Sequence, residues 1–508
     1  MPPARPRRGG RPGRPPRTGR PQDLVRRTAY DVVRAVGSRD AYANLLLPVR
    51  LRERGLTGRD AALATELTYG TLRGRGTYDA VLERCSDREV RRIDAPLLDV
   101  LRLGVHQLLR TRIPPHAAVA TTVELARSVA GPGQAKFANA VLRKVATRDL
   151  DAWLEIIAPA DELGRLSVTY SHPRWVVAAL RDALGTGRAG PAEPAEPAGP
   201  AERGNARVES AGRAEHDGLG ESEELERLLA ADNDRPRVTL LAKPGRATHA
   251  DLPGTEPARY SPYAAYLSEG DPAAIPAVAD GRAAVQDEAS QLVALALAEA
   301  PLAGPDARWL DLCAGPGGKA GLLAAIAGRR GARLLACDLQ PHRAGLVRRT
   351  AGDRAEVVIA DATVPAWRPG AFDRVLVDVP CTGLGALRRR PEARWRRSPK
   401  TVVELGPPQR RLLAAALAAV RPGGLVAYVT CSPHVAETTA VVDDVLRDRA
   451  DVIRLDAPAA LAAVAAAGDL TGLGEGPYAQ FWPHRHGTDA IFLALLQRRS
   501  GGDGPTAG

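Results

Sequence analysis

Apolar residues recur three and four apart from about Asp23 to Arg148, as in "LVRRTAYDVVRAV", "GRDAALATELTYGTLRGRGTYDAVL" and "KFANAVLRKVA". That spacing lines one face of a helix, so residues 23–150 are expected to form an all-helical domain. Residues 151–184 continue the helical pattern, and "HPRWVVAALRDAL" carries Pro173 where a first helical turn accepts it. Further on, "EELERLLAADN" reads as a helix and "RVTLLAK" as a strand, enough for a small α+β connector within residues 151–285. From Gln286 the order becomes regular. The helix "QDEASQLVALALAEA" is followed by the short apolar runs "ARWLDL", "ARLLACDL", "AEVVIADA", "FDRVLVDVP" and "LVAYVTCS", which alternate with helical stretches. Short apolar runs in that alternation predict a mostly parallel, doubly wound sheet over residues 286–498, with "DVIRLD" and "AIFLALLQR" as its last strands. Pro407 and Pro408 are expected to interrupt the helix before "RPGG".

Three segments fall outside this patterning. Residues 1–22 hold seven Arg and no acid among Pro and Gly, which predicts a disordered basic arm. Residues 185–222, with "GPAEPAEPAGPAERG", read as a disordered Pro/Ala/Gly-rich insertion, and residues 499–508 as a disordered tail. A chain of 508 residues has room for about three or four domains.

Composition narrows the function. The five cysteines, Cys85, Cys313, Cys337, Cys381 and Cys431, form an odd set with no C-x-x-C pair, which argues against a disulfide framework and a metal site and for a reducing cytoplasm. The longest uncharged apolar run, Leu412 to Val420, is far short of the ~20 residues that span a bilayer, so no membrane association is expected. A net charge of +11 and a pI near 9.7 suit a polyanionic partner, although an Arg-rich chain with five lysines also fits biased codon usage.

The candidate chemistry lies at the strand ends, where such sheets bind ligands. The first strand runs into "DLCAGPGGKAG", whose Gly315, Gly317 and Gly318 permit a tight turn before a helix. The turn has neither the P-loop spacing nor the dinucleotide fingerprint. The second strand ends in Asp338, 27 residues after Asp311 and suited to accept from ribose hydroxyls, with a helix N-cap as the alternative. The third ends in Asp361, suited to the edge of a base. Asp378 and Cys381 follow the fourth strand and Cys431 follows the fifth, so two thiols converge on one rim. Cys337 and Cys85 read as packing residues. Beyond Cys381, "RRRPEARWRR" holds Arg388, Arg389, Arg390, Arg394, Arg396 and Arg397 around Trp395. Such a cluster can grip phosphates while the indole stacks on a base; a solvated basic loop is the alternative.

In this order "LDLCAGPGGK", "DLQPHR", "ADAT", "DVPCTGLGALRRRPEARWR" and "VTCSPHVAET" resemble the S-adenosylmethionine-dependent RNA cytosine-C5 methyltransferases. "SHPRWVV" and "HGTDAIF" strengthen the likeness. The helical N-terminal region resembles a NusB-like RNA-binding domain, and the pairing is similar to the RsmB (Sun, Fmu) family acting on 16S ribosomal RNA. The resemblance implies a Rossmann-like methyltransferase domain and a monomer acting on single-stranded or loop RNA. It further implies that Cys431 is the nucleophile, that Cys381 assists release, and that Asp378 and Lys319 serve the reacting base. Cys313, Ala314, Gly315, Pro316, Gly317, Gly318 and Lys319, with Asp338, Arg343, Asp361 and Asp378, would hold the cofactor. Val379 and Ala490 depart from the family pattern, which has a small residue and a Gly there. The same chemistry on transfer RNA, or a non-catalytic RNA-binding or antitermination factor on the same fold, are the alternatives.

Overall fold

The computed structural model describes residues 23–186, 220–364, 366–466 and 469–500. The expected basic arm, nearly all of the Pro/Ala/Gly-rich insertion and the tail from residue 501 lie outside the described residues. The two ends of the insertion are helical, within Arg174–Thr186 and Glu221–Ala231. The described chain divides into two compact units, residues 23–71 with 81–150, and residues 72–80 with 151–500.

The first unit is helical. Its opening helix, Leu24–Arg39, starts where the Asp23 carboxylate accepts the Arg26 N–H, which satisfies one of the free donors of the first turn. The helix Ala95–Arg110 forms its centre, with every residue from Leu97 to Gln107 buried. A helix apolar on most sides must be covered on most sides, and Leu24–Arg39, Pro115–Ala130 and Pro132–Val145 pack against it. Gln107 threads a buried polar link through this core, accepting from Arg26 Nε at 2.7 Å and donating to Thr122 Oγ1 at 3.1 Å.

The second unit contains two sheets. The connector holds β1 (Val238–Ala242), β2 (Thr255–Pro257), β3 (Ala264–Leu267) and β4 (Ala283–Val285), antiparallel in the order β2-β3-β1-β4. Only β1 was legible as a strand, because β2 and β4 span three residues each, too short for an alternating pattern. Lys243, directly after β1, is buried and donates to the carbonyls of Gly281 and Thr350 at 2.7 and 2.6 Å.

The larger sheet comprises β5 (Arg308–Asp311), β6 (Arg333–Asp338), β7 (Ala355–Ile359), β8 (Phe372–Asp378), β9 (Val420–Thr430), β10 (Val452–Arg454), β11 (Ala479–Gln480) and β12 (Phe492–Arg498). Its order is β10-β12-β9-β8-β5-β6-β7, with β11 beside β12. The strands β5 to β9 pair in parallel, and β12 runs antiparallel to β9 and β10. The chain leaves β5 toward β6 and β7, then crosses back to β8 beside β5 and on to β9. The connections after β5 and β8 therefore diverge, which opens a crevice at their carboxyl ends. The helix Glu288–Glu299 is buried along Gln291–Ala298 and packs against β8 and β9, so truncating Leu292 or Leu295 would cost about 2–5 kcal/mol.

One expectation is corrected. The helix Pro399–Ala419 runs through Pro407 and Pro408 without ending. Its flanks are held on both sides of the prolines: Val402, Gly406, Leu412 and Leu413 are buried, and Gln409 donates to the Pro380 carbonyl at 2.8 Å.

Candidate active site

Parallel pairing of β5 with β8 and of β8 with β9 brings Asp311, Asp378 and the turn after Thr430 to one rim. The thiols meet there, with Cys381 Sγ and Cys431 Sγ 3.3 Å apart. The Gly385 N–H donates to the Cys431 carbonyl at 2.9 Å and the Gly385 carbonyl accepts from Ala490 N at 2.8 Å, so the two thiol-bearing turns share a brace. Lys319, on the first turn of the helix Gly318–Arg329, reaches Asp378 at 2.8 Å.

Charge is distributed unevenly over this cluster. The hydrogen bond with Cys381 lowers the Cys431 pKa; burial and Asp378 oppose it, and Lys319 and Arg390 reinforce it. Cys381 is held well above an ordinary thiol, first by its hydrogen bond with Cys431, then by burial, by the Cys431 charge and by Glu437. Burial works against the Lys319 ammonium, but Asp378 outweighs it and its pKa is raised. Asp311 is pushed up to about 8 by burial and by Asp378.

The turn after β5 is built for close approach. Gly317 has φ +111°, a conformation side chains rarely adopt, and a Cβ on Gly315 would run into the Asp338 carboxylate and Arg343. Asp338 accepts from Gly315 N at 2.9 Å and from Gln340 N at 2.8 Å, and Arg343 donates to the Gly315 carbonyl. Cys313 is half-buried with its N–H on Asp311, Ala314 is buried, and Pro316 is exposed. Asp361, exposed at the end of β7, accepts from Thr363 N and Oγ1 at 2.9 and 2.7 Å. Gln286 Oε1 is buried beside Gly318 with no hydrogen-bond partner. A glycine turn, a helix N-terminus, an acid at the next strand end and an orphaned acceptor fit a cofactor with a zwitterionic amino-acid group, its carboxylate suited to the helix N-terminus and its ammonium to the acceptor, and a ribose.

The Arg-rich segment is corrected in part. Arg388 is buried, donating to the Gly487 carbonyl at 2.8 Å, and Arg389 pairs with Asp287 at 2.6 Å and Asp489 at 3.0 Å. Arg394 is 0% exposed and donates to Asn233 Oδ1 at 2.8 Å and to the carbonyls of Ser171 and Asp232. Trp395 is half-buried, with the Arg75 guanidinium 5.4 Å from its ring centre. These three guanidiniums and the indole are engaged within the protein, not presented to a phosphate or a base. Arg390 is exposed, and Arg396 and Arg397 are half-buried, Arg397 donating to the Thr382 carbonyl at 3.2 Å. Cys85 and Cys337 are buried packing residues.

Sequence reasoning missed Glu437 and the buried carboxyl of Asp311. For Asp311 the signal was available, since it ends the first strand as Asp338 and Asp378 end theirs.

An α/β sheet with a glycine turn after β5, an acid after β6 and two thiols at the neighbouring strand ends defines a cofactor-dependent enzyme of the doubly wound class. The family model described as 16S rRNA methyltransferase RsmB/F matches residues 300–497, and that of the NusB family matches residues 24–147. Ribosomal RNA small subunit methyltransferase B of Sodalis glossinidius is 31% identical over 412 residues, covering 78% of this chain and 84% of its own. The protein Rv1407 of Mycobacterium tuberculosis is 50% identical over 487 residues, covering 94% of this chain and 97% of its own. The crystal structure of PH0851 shares the fold, with a TM-score of 0.72 at 20% identity over 94% of this chain and 99% of that one. The chain belongs to the RsmB/F family of S-adenosylmethionine-dependent rRNA methyltransferases, with a NusB-family domain before the catalytic one.

Proposed function

We propose that this protein methylates C5 of a cytosine in 16S ribosomal RNA through a covalent bond between Cys431 and C6 of that base. The observation that carries this reading is the thiol pair, 3.3 Å apart at the ends of adjacent strands and beside the Lys319–Asp378 pair. C5 of cytosine is a poor nucleophile until a thiolate adds at C6 and makes the ring enamine-like. Cys431, the thiol with the lowered pKa, supplies that thiolate. Asp378 hydrogen-bonds the cytosine edge and steadies the ring as it takes up a proton during addition, with Lys319 orienting the carboxylate. The residues Cys313 to Lys319, Asp338, Arg343, Asp361 and Asp378 hold the cofactor. Bound there, S-adenosylmethionine supplies the sulfonium methyl group that C5 takes.

Release needs a base. Once Cys431 is bonded to C6 its charge is gone, and its hydrogen bond with Cys381, the largest influence keeping the proton there, is weakened. Cys381 then loses that proton to solvent and accepts the proton from C5. The C5–H electron pair re-forms the C5–C6 double bond and the Cys431–C6 bond breaks, returning the thiolate. The target base must leave any stack to reach the crevice, so a single-stranded or loop region is the substrate. Five free thiols suit a reducing cytoplasm.

Bisulfite sequencing of ribosomal and transfer RNA from a deletion strain tests the reading. One 5-methylcytosine should vanish from 16S rRNA and return with the wild-type gene but not with Cys431→Ala. An unchanged 16S pattern, or a loss confined to transfer RNA, would overturn it.

A further inference from the structure

Behind the two thiols lies a carboxylate that none of the steps above uses. Glu437 ends the short turn Val435–Glu437 and is 0% exposed. It accepts from Thr382 N at 2.8 Å, Ser432 Oγ at 2.6 Å, Gln409 Nε2 at 3.2 Å, and also from Thr382 Oγ1. Thr382 is the residue after Cys381, and Ser432 is the residue after Cys431. One side chain therefore joins the two turns that carry the thiols. Thr382 Oγ1 and Ser432 Oγ also lie 3.2 Å from each other, and Tyr428 Oη donates to the Glu437 carbonyl at 2.8 Å, anchoring the turn to β9.

The partners of this carboxylate are an amide N–H, two hydroxyls and a carboxamide. They satisfy its lone pairs and leave its charge unneutralised in a buried place, where charge acts over a longer range than in water. Two of its bonds come from Thr382, beside Cys381, and one from Ser432, beside Cys431. Its charge helps raise Cys381, after the hydrogen bond with Cys431, burial and the Cys431 charge. On Cys431, Asp378 opposes ionisation while Lys319 and Arg390 favour it. The closer tie of the carboxylate to the Cys381 turn, with two cations that favour the Cys431 thiolate, makes the thiols unequal before any substrate arrives.

We propose that Glu437 is a positioning residue that fixes the geometry of the thiol pair and assigns the roles within it, keeping the proton on Cys381 and leaving the thiolate to Cys431. This rests on the reading that Cys431 attacks and Cys381 serves release. Gln at this position keeps the shape and can still accept from Thr382 N, but it carries no charge. Ala removes the tie altogether.

The test is alkylation of the full-length enzyme by iodoacetamide from about pH 6 to about pH 10, each cysteine followed by mass spectrometry. In the wild type Cys431 should react first and Cys381 only at higher pH. In Glu437→Gln the Cys381 profile should move to lower pH by about one unit, closing part of the gap, while the melting temperature stays near that of the wild type. In Glu437→Ala both profiles should broaden and methyl transfer should fall further than in the Gln variant. Identical profiles in the wild type and Glu437→Gln would overturn the role of Glu437 while leaving the thiol mechanism standing. Reaction of Cys381 before Cys431 in the wild type would overturn the assignment of roles itself.

Discussion

Cys381 and Cys431 lie 50 residues apart in the chain, yet their sulfur atoms stand 3.3 Å from each other. Two thiols at that distance cannot both ionise readily, because the first thiolate raises the cost of the second. The pair is therefore asymmetric, with Cys431 the lower and Cys381 the higher of the two.

Lys319 sustains part of that asymmetry. Lys319→Ala removes a cation that lowers the Cys431 pKa and unpairs Asp378. Alkylation of Cys431 near neutral pH should slow about tenfold and single-turnover methyl transfer about 100-fold. Unchanged rates would show that the ammonium serves neither group.

The glycine turn and Asp338 give a second test. Asp338→Ala removes an acid at the proposed cofactor crevice and the acceptor for Gly315 N, so S-adenosylmethionine affinity measured by calorimetry should fall about tenfold or more. Full affinity in the variant, or a wild type that prefers NAD, would contradict the assignment of this crevice.

Arg389 and Arg390 should separate stability from RNA binding. Arg389→Ala leaves Asp287 and Asp489 facing each other without their shared cation and should cost about 3 kcal/mol in urea unfolding. Arg390→Ala, at an exposed residue, should keep the unfolding midpoint but weaken RNA binding and lower its salt slope by about 1. The opposite pattern would return Arg389 to the RNA interface.

Asp311 gives a pH signature. Its carboxyl is pushed up to about 8 in the folded protein, first by burial and then by Asp378, against about 3.9 when unfolded. The stability this group contributes is fully present below about pH 4 and is lost as pH rises toward 8, by about 1.4 kcal/mol per unit. Asp311→Asn should therefore gain on the wild type in urea unfolding between about pH 5 and about pH 8. A constant difference across that range would contradict the shift.

The sheet and the meeting of Asp311, Asp378, Cys381 and Cys431 at one rim were legible because both follow from local properties. An apolar run followed by Asp, Gly or Cys is visible in a dozen residues, and parallel order then brings those ends together. Burial of the Arg cluster was not legible, because the partners of Arg388, Arg389 and Arg394 lie at Asp287, Gly487, Asp489, Ser171 and Asn233, roughly a hundred to more than two hundred residues away. Only tertiary packing decides whether a run of arginines faces phosphate or carboxylate. The continuous helix through Pro407 and Pro408 was hidden for the same reason, since its flanking contacts outweigh a local rule.

The most direct measurement is a denaturing gel of RNA incubated with the cofactor and with each single thiol variant. Cys431→Ala should give no shifted band and no methyl transfer, since no bond to C6 forms, while still binding RNA. Cys381→Ala should methylate but release poorly, so a denaturation-resistant protein–RNA band should accumulate. A band trapped by Cys431→Ala and abolished in Cys381→Ala would reverse the roles, and full methyl transfer by both variants would exclude the thiol mechanism.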